Sequence, residues 1–422
     1  MKVEIQELDP CKRQLVVEAP EEEVRAAWTA ACGRVQRDAR LPGFRRGKVP
    51  MTLVRSRFGD EVRQAVAEAL IPVVYRRAVD ETQIRPVEDP EFRELQLEEG
   101  QPLRFTAVVE IKPAIALGAY TGLGVTHAPK PLGEEEVDEA INHFREQHAE
   151  FRAVERTADL GDLVIMDYTL TPEGMDAREE KDYSFLLGQG SVLPEIEEAV
   201  IGLAAGASRT IRLKFAEDHR NEALRGKSGE ATVMVKEVKE KILPALDDEF
   251  AKGMGAFETL DALKEALRKD LQARRDRENR NGLEDAVVEA LLASHDFQVP
   301  ESLVLRQVGH QIEHTRERLR RQGVNPDQLP WDYKKLLEDL KPGAEKAVKR
   351  ALILEAIAEK EGLAPGEEQV DAEVERIAQA SQRPAPAVKR MMEQSGDLDS
   401  LRYSLREART LDFLIEKAQI TA

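Results

Sequence analysis

The stretch Gly43-Phe44-Arg45-Arg46-Gly47-Lys48-Val49-Pro50 (GFRRGKVP) decides how the rest of the chain is read. Pro42 and Pro50 stop the flanking helical segments from running through it, and Gly43 and Gly47 permit a tight excursion between them. The expected product is an exposed tip carrying one large apolar ring, Phe44, and three cations, Arg45, Arg46 and Lys48. Residues 34–57 hold eight Lys/Arg and one acid, Asp38, in a chain whose net charge is −18. A solvated basic turn is the plainest reading of such a loop. Two features argue instead for docking: a phenylalanine at a loop tip needs a partner to cover it, and arginine forks match phosphate or carboxylate.

Outward from the loop, residues 2–18 read as two short strands. Pro20-Glu21-Glu22-Glu23 then opens a helix with its acids at the positive end of the dipole, and Val24, Trp28, Val35 and Ala39 follow at helical spacing. On the other side, Pro50 opens a second helix through Phe58, Val62, Val66, Ala69 and Val73, with a kink expected at Pro72. Leu103, Phe105, Ala107, Val109 and Ile111 alternate as in a strand. Residues 1–115 are therefore expected to be α+β, helices on a small antiparallel sheet with the basic loop at one end. Residues 116–133 contain glycines at 118, 122, 124 and 133 and prolines at 129 and 131, too many breakers for one regular element, and read as a linker. Residues 134–150 return to helical spacing with Val137, Ile141, Phe144 and His148 on one stripe, His148 reading as a half-buried helix residue rather than a ligand.

Residues 151–242 change character. Val164, Met166, Tyr168 and Leu170 alternate, as do Ile211, Leu213 and Phe215, and Val233 and Val235 begin a last strand; between them, residues 188–203 (GQGSVLPEIEEAVIGL) form a glycine-bounded turn and a short helix. From residue 243 onward the spacing is helical, with Leu260, Leu263, Leu267 and Leu271 on one stripe and Val304, Val308, Ile312 and Leu319 on another. Pro300, residues 323–330, Pro342, residues 362–365 and residues 384–386 punctuate it. The fold class expected is multidomain α+β: an N-terminal α+β docking domain, a β-rich middle domain and a large α-helical C-terminal domain.

A chain of 422 residues is too long for one ordinary core and implies two to four domains. Charged residues make up 34% and aromatics 5%, a composition of solvent-laced helices. There is no run of 18 apolar residues, and MKVEIQELD lacks the apolar core of a signal peptide, so the chain is expected in the cytoplasm with no membrane partner. Cys11 and Cys32 form neither a C-x-x-C pair nor a disulfide framework. Residues 1–115 hold 19 Lys/Arg against 20 Asp/Glu, so nearly all of the net charge of −18 lies beyond them. That acidic remainder repels nucleic acid and leaves the loop as the favoured docking point.

Several chemistries lack their residues. Gly226-Lys227-Ser228 supplies the second half of a phosphate-binding loop, but Asn221 stands where its first glycine belongs. His310 and His314 share a helix face, yet Gln311 replaces the zincin glutamate and no third ligand is in view. No Ser/His/Asp or Cys/His pattern has a recognisable context. No cofactor and no metal are expected.

The loop resembles the ribosome-docking signature of the trigger factor family, bacterial chaperones at the polypeptide exit, which reads G-F-R-x-G-K-x-P; this chain matches at Gly43, Phe44, Arg45, Gly47, Lys48 and Pro50. Residues 151–242 resemble an FKBP-type prolyl isomerase domain through Gly161-Asp162, Phe185, Gly188-Gln189-Gly190, Val192-Leu193-Pro194, Gly202, Gly206 and Leu224-Arg225-Gly226-Lys227. Further on the resemblance is looser, resting on length, helix order and Val299-Pro300-Glu301-Ser302-Leu303. It implies a ribosome-binding domain at 1–115, a linker and helix at 116–150, an isomerase domain at 151–242 and a helical chaperone domain at 243–422. It implies as partners the large ribosomal subunit near the polypeptide exit, through ribosomal protein and rRNA, with nascent and unfolded polypeptides, and it makes a homodimer a candidate state of the free chain.

Prolyl isomerisation needs no nucleophile, metal or cofactor. The barrier of about 20 kcal/mol comes from amide resonance, and an apolar aromatic pocket lowers it by desolvating the imide and holding it twisted. In the FKBP pattern Tyr168 and Phe185 match aromatic walls, and Val192 and Leu193 match the apolar edge. Ile196 stands in place of the floor aromatic, His219 in place of a wall tyrosine and Thr232 in place of another phenylalanine. The candidate catalytic set is thus Tyr168, Phe185, Val192, Leu193, Ile196 and His219, with weak activity expected. Two other readings stand beside this one: a dedicated prolyl isomerase whose outer domains recruit substrate, and a nucleic-acid-binding protein using the basic loop.

Overall fold

The computed structural model describes residues 1–42, 44–215, 225–255 and 257–421. The chain divides into two compact units, residues 1–128 with 281–422, and residues 129–280.

The first unit opens with a hairpin, β1 (Lys2–Asp9) and β2 (Lys12–Ala19), followed by α1 (Glu21–Asp38), α2 (Met51–Arg57), α3 (Gly59–Thr82), β3 (Glu91–Gln96) and β4 (Leu103–Glu110). The four strands pair antiparallel in the order β1-β2-β4-β3. Register places Leu15 opposite Ala107 and Val17 opposite Phe105, so alternate residues of the two central strands make one apolar face. Val24, Trp28, Ala31 and Cys32 of α1 and Val62, Val66, Leu70 and Val74 of α3 cover that face. The single helix expected after Pro50 is two: Phe58, at φ −121°, leaves helical geometry between α2 and α3 while the apolar spacing continues across the joint. Pro72 lies inside α3 on its exposed side, where the carbonyl deprived of its partner faces water, and the helix runs on past it.

The segment after β4 reads from sequence as a linker with too many breakers for one regular element. It holds only a three-residue strand, β5 (Gly124–Thr126), and buries Tyr120 and Val125 in the helical core.

The second unit contains α4 (Glu134–Gln147), β6 (Glu150–Val154), β7 (Leu163–Pro172), β8 (Arg178–Leu186), α5 (Pro194–Val200), β9 (Ser208–Lys214), β10 (Ser228–Ile242), α6 (Asp248–Gly253) and the beginning of α7 (Leu260–Ala293). The sheet order is β6-β10-β7-β8, with β9 also on β10. Val164 and Met166, Phe185, Leu213, and Ala231, Val233 and Val235 form its inward face, which Ile196, Ala199 and Val200 of α5 close. Phe144 of α4 packs with Phe250, Ala251 and Leu263. His148 is exposed rather than half-buried. It ends α4, its Nδ1 2.9 Å from the Phe144 carbonyl oxygen and its ring edge-on to Phe250 at 6.3 Å.

The rest of the first unit is helical: α7 from residue 281, α8 (Glu301–Arg321), α9 (Tyr333–Glu361), α10 (Glu367–Ala380), α11 (Ala385–Ser395) and α12 (Asp397–Lys417), ending in β11 (Gln419–Thr421). Val304 and Val308 pack on Ala344, Val348 and Leu352, while Ile353, Leu354 and Ile357 pack on Val287, Leu291, Leu411 and Leu414. Pro342, expected to break the chain, sits inside α9 on an exposed position, as Pro72 does in α3. β11 pairs in parallel with β5. The buried His295 accepts the Gly118 N–H at Nε2 (3.0 Å), and the Glu110 carboxylate accepts both the N–H and the hydroxyl of Ser302 (2.8 and 2.6 Å) at the start of α8.

Candidate functional site

The basic loop hangs between two buried anchors, Ala39 and Val49, and the Gln36 side chain donates to the Val49 carbonyl oxygen at 2.6 Å. Between them the Lys48 N–H reaches the Arg45 carbonyl at 2.9 Å, and Gly47 takes φ +77°, a conformation that strains other residues. Phe44 is 42% exposed. Arg45 and Lys48 are exposed and make no ion pair with any described residue. Arg46 differs from them: its Nη2 donates to Asp38 Oδ1 at 2.7 Å and its Nε to the Arg37 carbonyl. The tip thus presents one ring and two uncommitted cations, with the third tethered. Gly43 lies outside the described residues.

In the second unit Tyr168 comes from β7 and Phe185 from β8. Phe185 and Ile196 are buried, and Tyr168, Val192 and Leu193 pack half-buried against the same cluster. Sequence reading missed Tyr183, which stands between the two aromatic walls: its ring is 5.6 Å from Tyr168 edge-on and 6.0 Å from Phe185. A bulge puts it there. β8 carries an extra residue around Asp182, at φ +54°, so that Met166 faces Tyr183 while Tyr168 faces Glu180. The Asp182 N–H donates to Asp167 Oδ1 at 2.8 Å, fixing the bulge. The i, i+2 spacing of Tyr183 and Phe185 carried the signal.

The Tyr168 hydroxyl donates to the Glu180 carboxylate. Burial, and then that hydrogen bond and the Glu180 charge, push its pKa up to about 12, so it remains a phenol at any physiological pH. Around it an apolar, aromatic surface can take a prolyl imide out of water without any group that ionises. Ile196 forms part of the closed core beneath this surface, at 6% exposure. Thr232 is not a wall residue. It lies on the outer face of β10, between the inward-facing Ala231 and Val233, and its hydroxyl is 3.0 Å from that of Thr210. The strand's period of two forbids a place beside Val233 in the pocket. His219 lies outside the described residues.

An exposed basic loop on an α+β domain, an FKBP-like sheet and a long helical body define a class of multidomain folding factors. Comparison with known proteins agrees along the chain. Residues 154–239 match the family described as FKBP-type peptidyl-prolyl cis-trans isomerase, residues 1–144 that described as bacterial trigger factor protein, and residues 259–416 its C-terminus. Trigger factor of Carboxydothermus hydrogenoformans is 36% identical over 99% of this chain and 100% of its own length, and that of Anoxybacillus flavithermus is 35% identical over 100% of both. A solved structure of the trigger factor chaperone, described for promiscuous substrate recognition in folding and assembly, shares the fold at a TM-score of 0.51 and 22% identity, covering 99% of this chain and 100% of that one. The chain belongs to the trigger factor family. As a member it is a chaperone that binds ribosomes and nascent chains, with an FKBP-type peptidyl-prolyl isomerase domain. Among the described residues no helix is long and apolar enough to cross a membrane.

Proposed function

We propose that this chaperone works in the cytoplasm without ATP, docking on the large ribosomal subunit near the polypeptide exit through Phe44, Arg45 and Lys48, with Arg46 as a tethered fourth contact. The observation that carries this reading is the tip itself: an exposed ring beside two cations with no ion pair among the described residues. The ring suits an apolar pocket of a ribosomal protein, and the cations suit carboxylate or rRNA phosphate. Gly47, at φ +77°, and Pro50, which caps the helix that follows, shape the loop rather than contact the partner.

The division of labour follows the domains expected from sequence: docking by 1–115, isomerisation by 151–242, and client capture by 243–422 with 116–150 beside it. Exposed Leu305, Val324, Leu329, Tyr333 and Met391, scattered among charges on the helical body, support capture without a fixed sequence code. A micromolar Kd amounts to only about −8 kcal/mol, so clients leave by dissociation. The catalytic surface is assigned to Tyr168, Tyr183 and Phe185 with Val192 and Leu193, over a floor that includes Ile196.

Co-sedimentation tests the docking assignment. With Phe44, Arg45 and Arg46 all changed to Ala, ribosome binding should be lost and the circular dichroism spectrum kept; unchanged co-sedimentation at moderate salt removes the assignment. Equal affinity for naked RNA would favour the nucleic-acid reading, and robust peptide turnover with little suppression of aggregation would favour the dedicated isomerase. Sedimentation equilibrium of the chain without ribosomes decides whether it homodimerises.

A further inference from the structure

A cleft of about 760 Å³ opens in the N-terminal part of the first unit, between α3 and the segment leading into β3. Its apolar wall is Pro72, Tyr75 and Val79 from α3, with Pro86, Pro90 and Phe92 opposite. Prolines give such a wall no N–H donors. The aromatic members form a ladder, Tyr75 to Phe92 at 5.7 Å and Phe92 to Phe105 at 5.4 Å, that runs from the cleft into the core, yet Phe92 is 42% exposed. Neither the docking loop nor the isomerase surface uses any of these residues.

Three further observations define the occupant. The Tyr75 hydroxyl is buried with no hydrogen-bond partner among the described residues. Burial first, and Asp89 second, push its pKa up to about 12, so it is a donor that lacks an acceptor. Among the described residues β3 pairs with β4 alone, so its outer edge carries backbone groups without a strand partner beside the Phe92 side of the cleft. At the rim Glu88 is already engaged by Arg306, at 3.1 Å, while Arg76 and Asp89 are exposed and make no ion pair with a described residue. One free cation and one free anion therefore flank an apolar trough.

We propose that this cleft is a second polypeptide-binding site, taking a short extended segment with an apolar centre and opposite charges at its two ends. The carbonyls of such a segment supply the acceptor that Tyr75 lacks, and an extended backbone can pair with the edge of β3. Its central side chain fills the trough, its basic end meets Asp89 and its acidic end meets Arg76. Nucleic acid has neither the apolar centre nor the cation for Asp89. The inference rests on the chaperone reading and deepens it by adding a client site outside the helical body.

The test uses the full-length chain and three fluorescein-labelled pentapeptides, Lys-Leu-Phe-Leu-Glu, Lys-Leu-Phe-Leu-Lys and Glu-Leu-Phe-Leu-Glu, followed by anisotropy. Wild type should bind the mixed-charge peptide best. Asp89→Lys should shift preference to the doubly acidic peptide and Arg76→Glu to the doubly basic one, each by about three- to tenfold, as expected for reversing one exposed charge. Both residues are on the surface, so neither change threatens the fold. Tyr75→Phe should weaken binding of all three peptides without lowering Tm, since it deletes an unpaired hydroxyl; a purely structural tyrosine would show the opposite. An unchanged rank order in both charge variants, or no binding of any peptide to wild type, overturns the proposal. Suppression of aggregation measured on the same samples shows separately whether the chaperone reading stands.

Discussion

Asp38→Ala should strengthen ribosome docking, although the residue belongs to no expected contact set. Asp38 is the one acid among residues 34–57, and its carboxylate holds Arg46 at 2.7 Å. Any partner that takes Arg46 must first break that pair. Both side chains are open to water, 63% exposed for Arg46 and 77% for Asp38, and an exposed pair of this kind contributes about 0.2–1 kcal/mol. Releasing it should tighten Kd by a factor of about 1.4 to 5. A second effect works on the fold. Asp38 is the last residue of α1, where a negative charge opposes the helix dipole, so its removal should raise stability slightly, by about 0.3–1 kcal/mol. Tighter docking therefore cannot be a by-product of partial unfolding. Ribosome co-sedimentation over a salt series, with urea denaturation of the same variant, measures both. The gain should be largest at low salt, where exposed charges are least screened. It should vanish when Arg46→Ala is added, because Asp38 then has no cation to withhold. Unchanged or weaker docking by a folded Asp38→Ala protein would show that Arg46 takes no part.

Three other outcomes follow from the second unit. The Tyr168 phenol, raised from 10.0 to about 12 by burial and Glu180, stays protonated in the folded chain while the unfolded chain ionises near 10. Its stabilisation is complete below pH 10 and disappears as pH rises to about 12. After discount for its exposure this amounts to roughly 1 kcal/mol or less, and Tyr168→Phe should flatten that part of an alkaline unfolding curve. Tyr168→Ala and Tyr183→Ala should each slow isomerisation of a proline peptide, and Ile196→Phe should speed it while costing about 1–3 kcal/mol for overfilling a buried position; rates that ignore all three changes would dismiss this surface as catalytic. Gly229→Ala places a Cβ 3.1 Å from both Pro172 Cα and the Thr171 carbonyl oxygen, so β7 and β10 must part. A loss of about 1–3 kcal/mol in urea denaturation is expected, and a neutral result would mean the strands yield freely.

What could be read from sequence was whatever burial repeats. Leu103, Phe105, Ala107 and Val109 alternate because these residues of the central strand β4 face the apolar core, whereas β3 is exposed at every residue and offers no period to detect. The break at Phe58 was hidden because both α2 and α3 keep their apolar residues toward the same core. Pro342 misled in the other direction: a proline on the wet side of a helix costs one hydrogen bond that water replaces, and the helix survives. In the second unit, the meeting of Tyr168 and Phe185 on one apolar cluster was legible from motif spacing. Tyr183 was obscured by the polar run before it and by a bulge that sequence does not announce, and Thr232 falls on the outer face because it lies one residue from the inward-facing Ala231 and Val233. The exposed loop was the easiest part to read, since Phe44 and its cations have no interior role to compete with a functional one. Its tether to Asp38 depended on a turn that only the fold supplies.

The pairing of β5 with β11 sets an order of events during synthesis. Thr126 and Thr421 are 295 residues apart, and at about 5–20 residues per second a ribosome takes roughly 15–60 s to travel from one to the other. Residues 129–280 form their unit from one continuous stretch and can close early. Over the same interval Tyr120 and Val125 have no core to enter, because the helices that bury them are still being made. This chaperone therefore spends much of its own synthesis as an unfinished chain with exposed apolar residues, the kind of molecule on which its mature form acts.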